Sequence, residues 1–206
     1  MPASSQFQAH DLLWGMSAEM LNENAPTWVK EVLAQGHPVV VRRALAPDHL
    51  IAVGIRGSEK HQRFASFMPV SAVKKQLKPE QLIACNLPRL LLLNEKLAGI
   101  RSVLNPFAIP WGFTGSVGFE LATGVAVVTE RSDIDVLMRT PQYLNISVAQ
   151  VLLKHLQQYE LKIDVQLQTL QGGVALKDWA NSTGKVLLKR NDGAVLVKNP
   201  WDEKDN

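Results

Sequence analysis

The sequence predicts an α+β fold, and three observations carry that expectation. Short apolar, β-branched runs recur along the 206 residues, helical periodicity is confined to a few stretches between them, and Gly and Pro mark the boundaries. The pattern changes along the chain. The first part reads as a small sheet with few helices, and the second interleaves strands with helices. The change falls between about residues 70 and 90, giving an N-terminal unit at 1–80 and a C-terminal unit at 81–206.

The elements follow in order. Residues 11–23 mix apolar and polar positions without a clear period. Thr27 to Gln35 reads as a helix, with Thr27 as N-cap and Trp28, Val32 and Leu33 on one face, stopped by Gly36-His37-Pro38. Val39–Val41, Ile51–Arg56 and Arg63–Met68 read as strands, and Ser71–Leu77 as a short helix. Pro88 opens a helix from Arg89 to about Ala98, with Leu90, Leu93 and Leu97 on one face and Gly99 at its end. Trp111–Gly118 reads as a Gly-rich strand and turn. Val125–Val128 and Ile134–Met138 read as strands, Val148–Tyr159 as an amphipathic helix, Leu161–Leu167 as a strand and Lys185–Lys189 as the last strand.

Composition narrows the function classes. An apolar share of 46% with a net charge of only +3 excludes a disordered chain. No stretch reaches the roughly 18 consecutive apolar residues of a membrane-spanning helix. Met1–His10 lacks the basic start and apolar run of a signal peptide, and a lone Cys85 excludes a disulfide framework, so a cytoplasmic protein is expected. The five His, at 10, 37, 49, 61 and 155, form no i, i+4 pair, which argues against zinc. Cys85 has no activating neighbours and reads as structural. Trp14, Trp28, Trp111, Trp179 and Trp201 read as packing anchors. Ser182-Thr183-Gly184-Lys185 lacks the spacing of a P-loop. Charge is uneven: residues 1–105 hold 12 Lys and Arg against 8 Asp and Glu, and residues 106–206 hold 10 against 11. A basic surface of this kind suits nucleic acid, a phosphorylated ligand or an acidic protein, or is simply solvated.

Three pieces of the second half carry chemistry. In Phe113-Thr114-Gly115-Ser116-Val117-Gly118, a Gly followed by a hydroxyl lets backbone N–H groups and the Ser116 side chain approach phosphate oxygens. In Ser132-Asp133-Ile134-Asp135-Val136-Leu137, residues two apart on a strand point to one side, so Asp133 and Asp135 project together while Ile134 and Val136 enter the core. Adjacent carboxylates repel unless a cation lies between them, and oxygen-only donors suit Mg²⁺. In Lys162-Ile163-Asp164-Val165-Gln166-Leu167, Asp164 sits on a strand where it can complete the set. Alone, the first piece reads mostly as a plain turn, the second equally as a polar strand end facing water, and the third more often as an exposed strand residue. Their order gives them meaning.

That order resembles the nucleotidyltransferase superfamily built on the polymerase-beta-like palm. Here Gly115 and Asp133 are 18 positions apart, longer than the superfamily's usual spacing, with the extra residues in Gly118-Phe119-Glu120-Leu121-Ala122-Thr123-Gly124. The run from Trp111 to Gly124 followed by Ser132–Asp135 is similar to the malonate decarboxylase holo-acyl-carrier-protein synthases, the phosphoribosyl-dephospho-CoA transferase family. The similarity extends to His10-Asp11-Leu12-Leu13-Trp14, Pro38–Arg43, Val53–Gly57 with Gln62-Arg63, and Asn199-Pro200-Trp201. It implies a palm with a smaller N-terminal α+β domain.

The resemblance also implies a reaction. A Ser hydroxyl on the apo acyl-carrier subunit of malonate decarboxylase attacks the α-phosphorus of triphosphoribosyl-dephospho-CoA, and pyrophosphate leaves. Asp133, Asp135 and Asp164 are the implied catalytic carboxylates and Mg²⁺ ligands, holding two ions, with Asp164 a ligand or the general base. Gly115 and Ser116 are expected on the phosphates, with cationic help from Arg131, Lys185, Lys189, Arg56 and Arg63. The basic first half is expected on the donor or on the acidic carrier, with no nucleic-acid or membrane partner. The rival readings are another nucleotidyltransferase, acting on a small molecule, RNA or the citrate lyase carrier, and a non-enzymatic nucleic-acid-binding module.

Overall fold

Two β-sheets, each with its own apolar core, organise the chain. The computed structural model describes residues 6–59, 61–129, 132–159 and 162–203, and the chain separates between Lys78 and Pro79 into two units. Among the described residues the architecture is mixed α+β, with two sheets and five α-helices.

The N-terminal unit contains β1 (Leu12–Trp14), α1 (Thr27–Ala34), β2 (Val39–Val41), β3 (Leu50–Arg56), β4 (Arg63–Pro69) and β5 (Lys75–Leu77). Its strands lie in the order β4-β3-β2-β1-β5, every neighbour antiparallel. Ile51, Val53 and Ile55 alternate onto one face of β3, where they meet Leu13, Val39, Val41 and Met68 and the α1 residues Val29 and Leu33. The helix therefore buries a face shifted by one residue from the expected one: Thr27 is its first residue, Pro26 precedes it, and Trp28 and Val32 pack at the margin. Ser71–Leu77 is not a helix. Val70–Ala72 makes a single 3₁₀ turn, and Lys75–Leu77 pairs with the edge of β1, Leu12 opposite Leu77. Fully buried Asp11 fastens this edge, accepting the Gln76 side-chain amide at 2.7 Å and the Gln8 N–H at 3.0 Å.

The C-terminal unit contains α2 (Leu91–Leu104), β6 (Trp111–Phe113), α3 (Gly115–Thr123), β7 (Ile134–Arg139), α4 (Ile146–Leu156), β8 (Ile163–Gln168), β9 (Gly173–Ala175), α5 (Leu176–Ala180), β10 (Val186–Lys189) and β11 (Ala194–Val197). The strand order is β11-β10-β9-β8-β7-β6. Only β7 and β8 run parallel, joined by α4 as crossover; the other pairs are antiparallel. Ile134, Val136, Leu137 and Met138 of β7 are all buried, as a central strand requires. Asn145 caps α4, its side chain accepting the Ser147 N–H at 2.9 Å. Trp179, Trp201 and Tyr143 form an edge-to-face cluster, with the Trp201 indole donating to the Thr140 carbonyl at 2.7 Å, so these two tryptophans are packing anchors.

Four expectations are corrected here. The helix beginning after Pro88 starts at Leu91 and continues through Gly99 to Leu104, burying Leu97, Ile100 and Leu104. Gly99 is an interior position beneath Tyr159, where a β-carbon would lie 2.4 Å from the Tyr159 ring. The turn expected after Trp111–Phe113 is a helix, α3, which absorbs the long Gly118–Gly124 connection. Val125–Val128 is irregular rather than a strand, and β10 is followed by a further edge strand, β11.

Candidate active site

The site is built where β7 and β8 begin. The parallel register places Asp135 directly beside Asp164, and neighbours in register share a face of the sheet. Asp133 and Lys162 stand at the mouths of the same strands, immediately before them. The Lys162 ammonium donates to Asp133 Oδ2 at 2.6 Å and lies 3.4 Å from Asp164 Oδ2. Two carboxylates facing each other across strands are unfavourable; the ammonium offsets charge on Asp164 and Asp133. The Asp133 hydrogen bond, then the Asp164 charge, raise the Lys162 pKa above the ordinary lysine value. Sequence reading passed over Lys162. The available signal was its i, i+2 spacing to Asp164 on the strand.

The Gly-Ser segment joins this end of the sheet through β6. Phe113 pairs with Val136, and the Thr114 N–H donates to the Asp135 carbonyl at 2.8 Å. Gly115 then opens α3 at φ +61°, and a β-carbon at this position would lie 1.8 Å from Asp135 Oδ2. Glycine is required twice, by its dihedral and by the approach of the carboxylate. Thr114 makes no side-chain cap, so the first N–H groups of α3 receive no help from it, and partly exposed Ser116 follows. A helix start beginning Gly-Ser is suited to phosphate oxygens.

Glu120, on the second turn of α3, holds the connection back toward Asp133. Its carboxylate is 4% exposed, receives Arg89 through two hydrogen bonds of 2.7 Å, and accepts the N–H groups of Val127 and Val128 at 2.8 and 2.7 Å. Burial pushes the Glu120 pKa up, but the Arg89 hydrogen bonds, the two backbone N–H groups and the Arg89 charge together bring it below the ordinary value. Those contacts explain why Val125–Val128 is not a strand: its backbone donors are taken by a side chain.

The expected cationic residues divide. Lys189 does not join the carboxylates. It pairs with Gly173, which pairs with Gln168, which pairs with Arg139, so register puts it at the opposite end of the sheet from Asp135. Lys185 is exposed, just before β10. Arg131 lies outside the described residues. Arg56 and Arg63 are direct cross-strand partners at the turn end of the β3–β4 hairpin, both exposed, within the N-terminal unit. By sequence, residues 1–78 hold 9 Lys and Arg against 6 Asp and Glu, while residues 79–206 hold 13 of each. The whole net charge therefore belongs to the N-terminal unit.

The donor set formed by Asp133, Asp135 and Asp164 is all oxygen, which suits Mg²⁺, and the Lys162 ammonium already sits between two of the three. Among the described residues no three His, Cys, Asp or Glu side chains form a ready-made cage. Magnesium does not require one, because it commonly uses one or two carboxylates together with substrate phosphates and water. No helix among the described residues is long and apolar enough to cross a membrane.

Comparison with known proteins supplies the family. The model of the phosphoribosyl-dephospho-CoA transferase MdcG C-terminal domain matches residues 81–200, and that of the N-terminal domain matches residues 8–79. The chain is 47% identical to a phosphoribosyl-dephospho-CoA transferase of Azotobacter vinelandii over 204 residues, 95% of each protein. It is 44% identical to one of Pseudomonas fluorescens, covering 96% of each, and 43% identical to one of Pseudomonas aeruginosa, covering 94% of this chain and 93% of the relative. No solved structure matches it. With both domain models matched in sequence order and relatives aligned nearly end to end, the chain belongs to the phosphoribosyl-dephospho-CoA transferase family, a family of transferases.

Proposed function

We propose that this protein transfers the 2′-(5″-phosphoribosyl)-3′-dephospho-CoA group from its triphosphate precursor to a Ser of the apo acyl-carrier subunit of malonate decarboxylase, and that the C-terminal unit is a polymerase-beta-like palm. The observation that carries the reading is the placing of Asp135 beside Asp164 on parallel strands, with the Gly115 start of α3 packed on Asp135. A phosphate-binding helix start and paired carboxylates at one sheet end are what a triphosphate-cleaving site needs.

In the reaction the Ser Oγ forms a bond to the α-phosphorus, the bond from that phosphorus to the α,β-bridging oxygen breaks, and pyrophosphate carries away the electron pair. The product is a phosphodiester. Gly115 and Ser116 hold the β- and γ-phosphates at the α3 N-terminus. Asp133 and Asp135 hold Mg²⁺, which when bound offsets charge on the triphosphate and leaving pyrophosphate. Asp164 takes the Ser proton; with 59% of its side chain exposed, against 34% for Asp133, it is the more accessible to a hydroxyl carried by another protein. Arg56 and Arg63 present paired positive charge to the anionic donor or carrier.

The test is intact-mass spectrometry of apo carrier incubated with enzyme, Mg²⁺ and the triphosphoribosyl donor. A mass gain equal to the phosphoribosyl-dephospho-CoA group on the malonate decarboxylase carrier supports the reading. A gain only with ordinary nucleoside triphosphates, or only on the citrate lyase carrier, contradicts it.

A further inference from the structure

Val127 and Val128, on the way to Asp133, are held by a buried ion pair rather than by strand pairing. The Glu120 carboxylate is 4% exposed. One of its oxygens accepts the Arg89 Nε–H; the other accepts Arg89 Nη2 and the N–H groups of Val127 and Val128. The same Nη2 donates to the Val128 carbonyl, so Arg89 holds the carboxylate and the segment at once. Thr129 and Ser132 are then joined twice: the Thr129 N–H donates to Ser132 Oγ and the Ser132 N–H to the Thr129 carbonyl, each at 3.0 Å. Asp133 follows, and on its far side the Ile134 N–H donates to the Lys162 carbonyl at 2.9 Å. A buried ion pair is costly to desolvate, and an apolar pair of similar volume often stabilises a core as well. That exchange here would strand two N–H groups and a carbonyl, so what the pair specifically supplies is the path of this segment.

We propose that Glu120 and Arg89 are positioning residues for the transfer: by holding Val127 and Val128 they fix where Asp133 stands relative to Asp135 and the Gly115 end of α3. The proposal rests on the carboxylate reading of the proposed function and deepens it. One helix then serves both acids: its first residue packs against Asp135, and its second turn, through Glu120, sets the approach to Asp133. Neither Glu120 nor Arg89 has to touch substrate; each acts through the backbone it holds. Loss of the hold loosens Asp133 and weakens its grip on a divalent ion, as when the outer groups that orient a metal ligand are removed.

The experiment separates positioning from plain stability. Wild type, Glu120→Gln, Arg89→Lys, Asp133→Asn and Val197→Ala, the last a core truncation in edge strand β11, are compared as full-length proteins at a temperature where circular dichroism shows each folded. Three quantities are read: Mn²⁺ affinity from free Mn²⁺ by electron paramagnetic resonance, amide hydrogen exchange in peptides covering Val127 and Val128, and the Mg²⁺ dependence of carrier modification. Glu120→Gln should weaken Mn²⁺ binding about tenfold, raise the half-saturating Mg²⁺ to match, and speed exchange at Val127 and Val128. Arg89→Lys, with the charge but without the two-point hold, should shift all three the same way by less, and it decides the matter if Glu120→Gln does not fold. Val197→Ala should keep wild-type Mn²⁺ affinity despite a lower melting temperature. Wild-type affinity or wild-type exchange in folded Glu120→Gln, or an affinity loss as large in Val197→Ala, overturns the proposal while leaving the carboxylate reading in place. Mn²⁺ binding that Asp133→Asn leaves unchanged, or no binding by wild type, overturns the carboxylate reading and this proposal with it.

Discussion

Gly115 and Asp135 are packed so closely that a single added carbon at residue 115 would lie 1.8 Å from the Asp135 carboxylate oxygen. The contact ties the start of α3 to the acidic end of β7 and makes glycine at 115 a requirement of the site. Gly115→Ala must either rotate the Asp135 carboxylate away or unwind the first turn of the helix. Carrier modification should fall by about 100-fold, as expected for a displacement on the ångström scale. The positive φ adds a stability loss of about 1–3 kcal/mol, read by denaturant unfolding.

Removing the Arg89 partner of Glu120 should be costly. Arg89→Ala leaves a carboxylate that is 4% exposed without its cation and should lower the midpoint of urea unfolding measurably. Arg89→Lys, which keeps the charge but not the two-point geometry, should recover only part of the loss.

Glu120 also predicts the sign of an acid effect. Its folded pKa is lowered, so its contribution is full above the unfolded Glu value near 4.3 and is lost as pH falls through the folded value. Melting temperature followed from about pH 6 down to pH 3 should therefore fall less steeply for Glu120→Gln than for wild type, although the variant starts lower at neutral pH.

The two ends of the sheet should behave differently. Lys189 lies at the end remote from Asp135, and Lys189→Ala should leave the transfer rate within roughly twofold of wild type. Arg56→Ala and Arg63→Ala, in the unit that carries the net positive charge, should raise the carrier KM and flatten its dependence on ionic strength with little change in kcat.

The candidate site was put together from local pattern: Asp133 and Asp135 from their two-residue spacing, Asp164 from its apolar neighbours, and Gly115-Ser116 from the small-residue turn; the register then places Asp135 beside Asp164. The strands β7, β8 and β3 emerged from apolar runs. The misreadings share a cause: partners distant in sequence decide the local conformation. Lys75–Leu77 is extended because the edge of β1 receives it. Val125–Val128 is irregular because Glu120 takes its donors. Gly115–Thr123 is a helix despite two glycines, one of which makes way for Asp135. Lys162 was invisible as a site residue because its meaning depends on Asp133, which lies on another strand's approach 29 residues away.

The pairing of Asp135 with Asp164 is the centre of the proposed chemistry. Its sharpest test is the time course of mass gain on the apo malonate decarboxylase carrier with wild type, Asp135→Asn and Asp164→Asn, all with the triphosphoribosyl donor and Mg²⁺. Complete conversion by wild type, with both folded variants slower by about 100-fold or more, is the predicted result. Near-normal conversion by a folded Asp135→Asn variant would contradict the account.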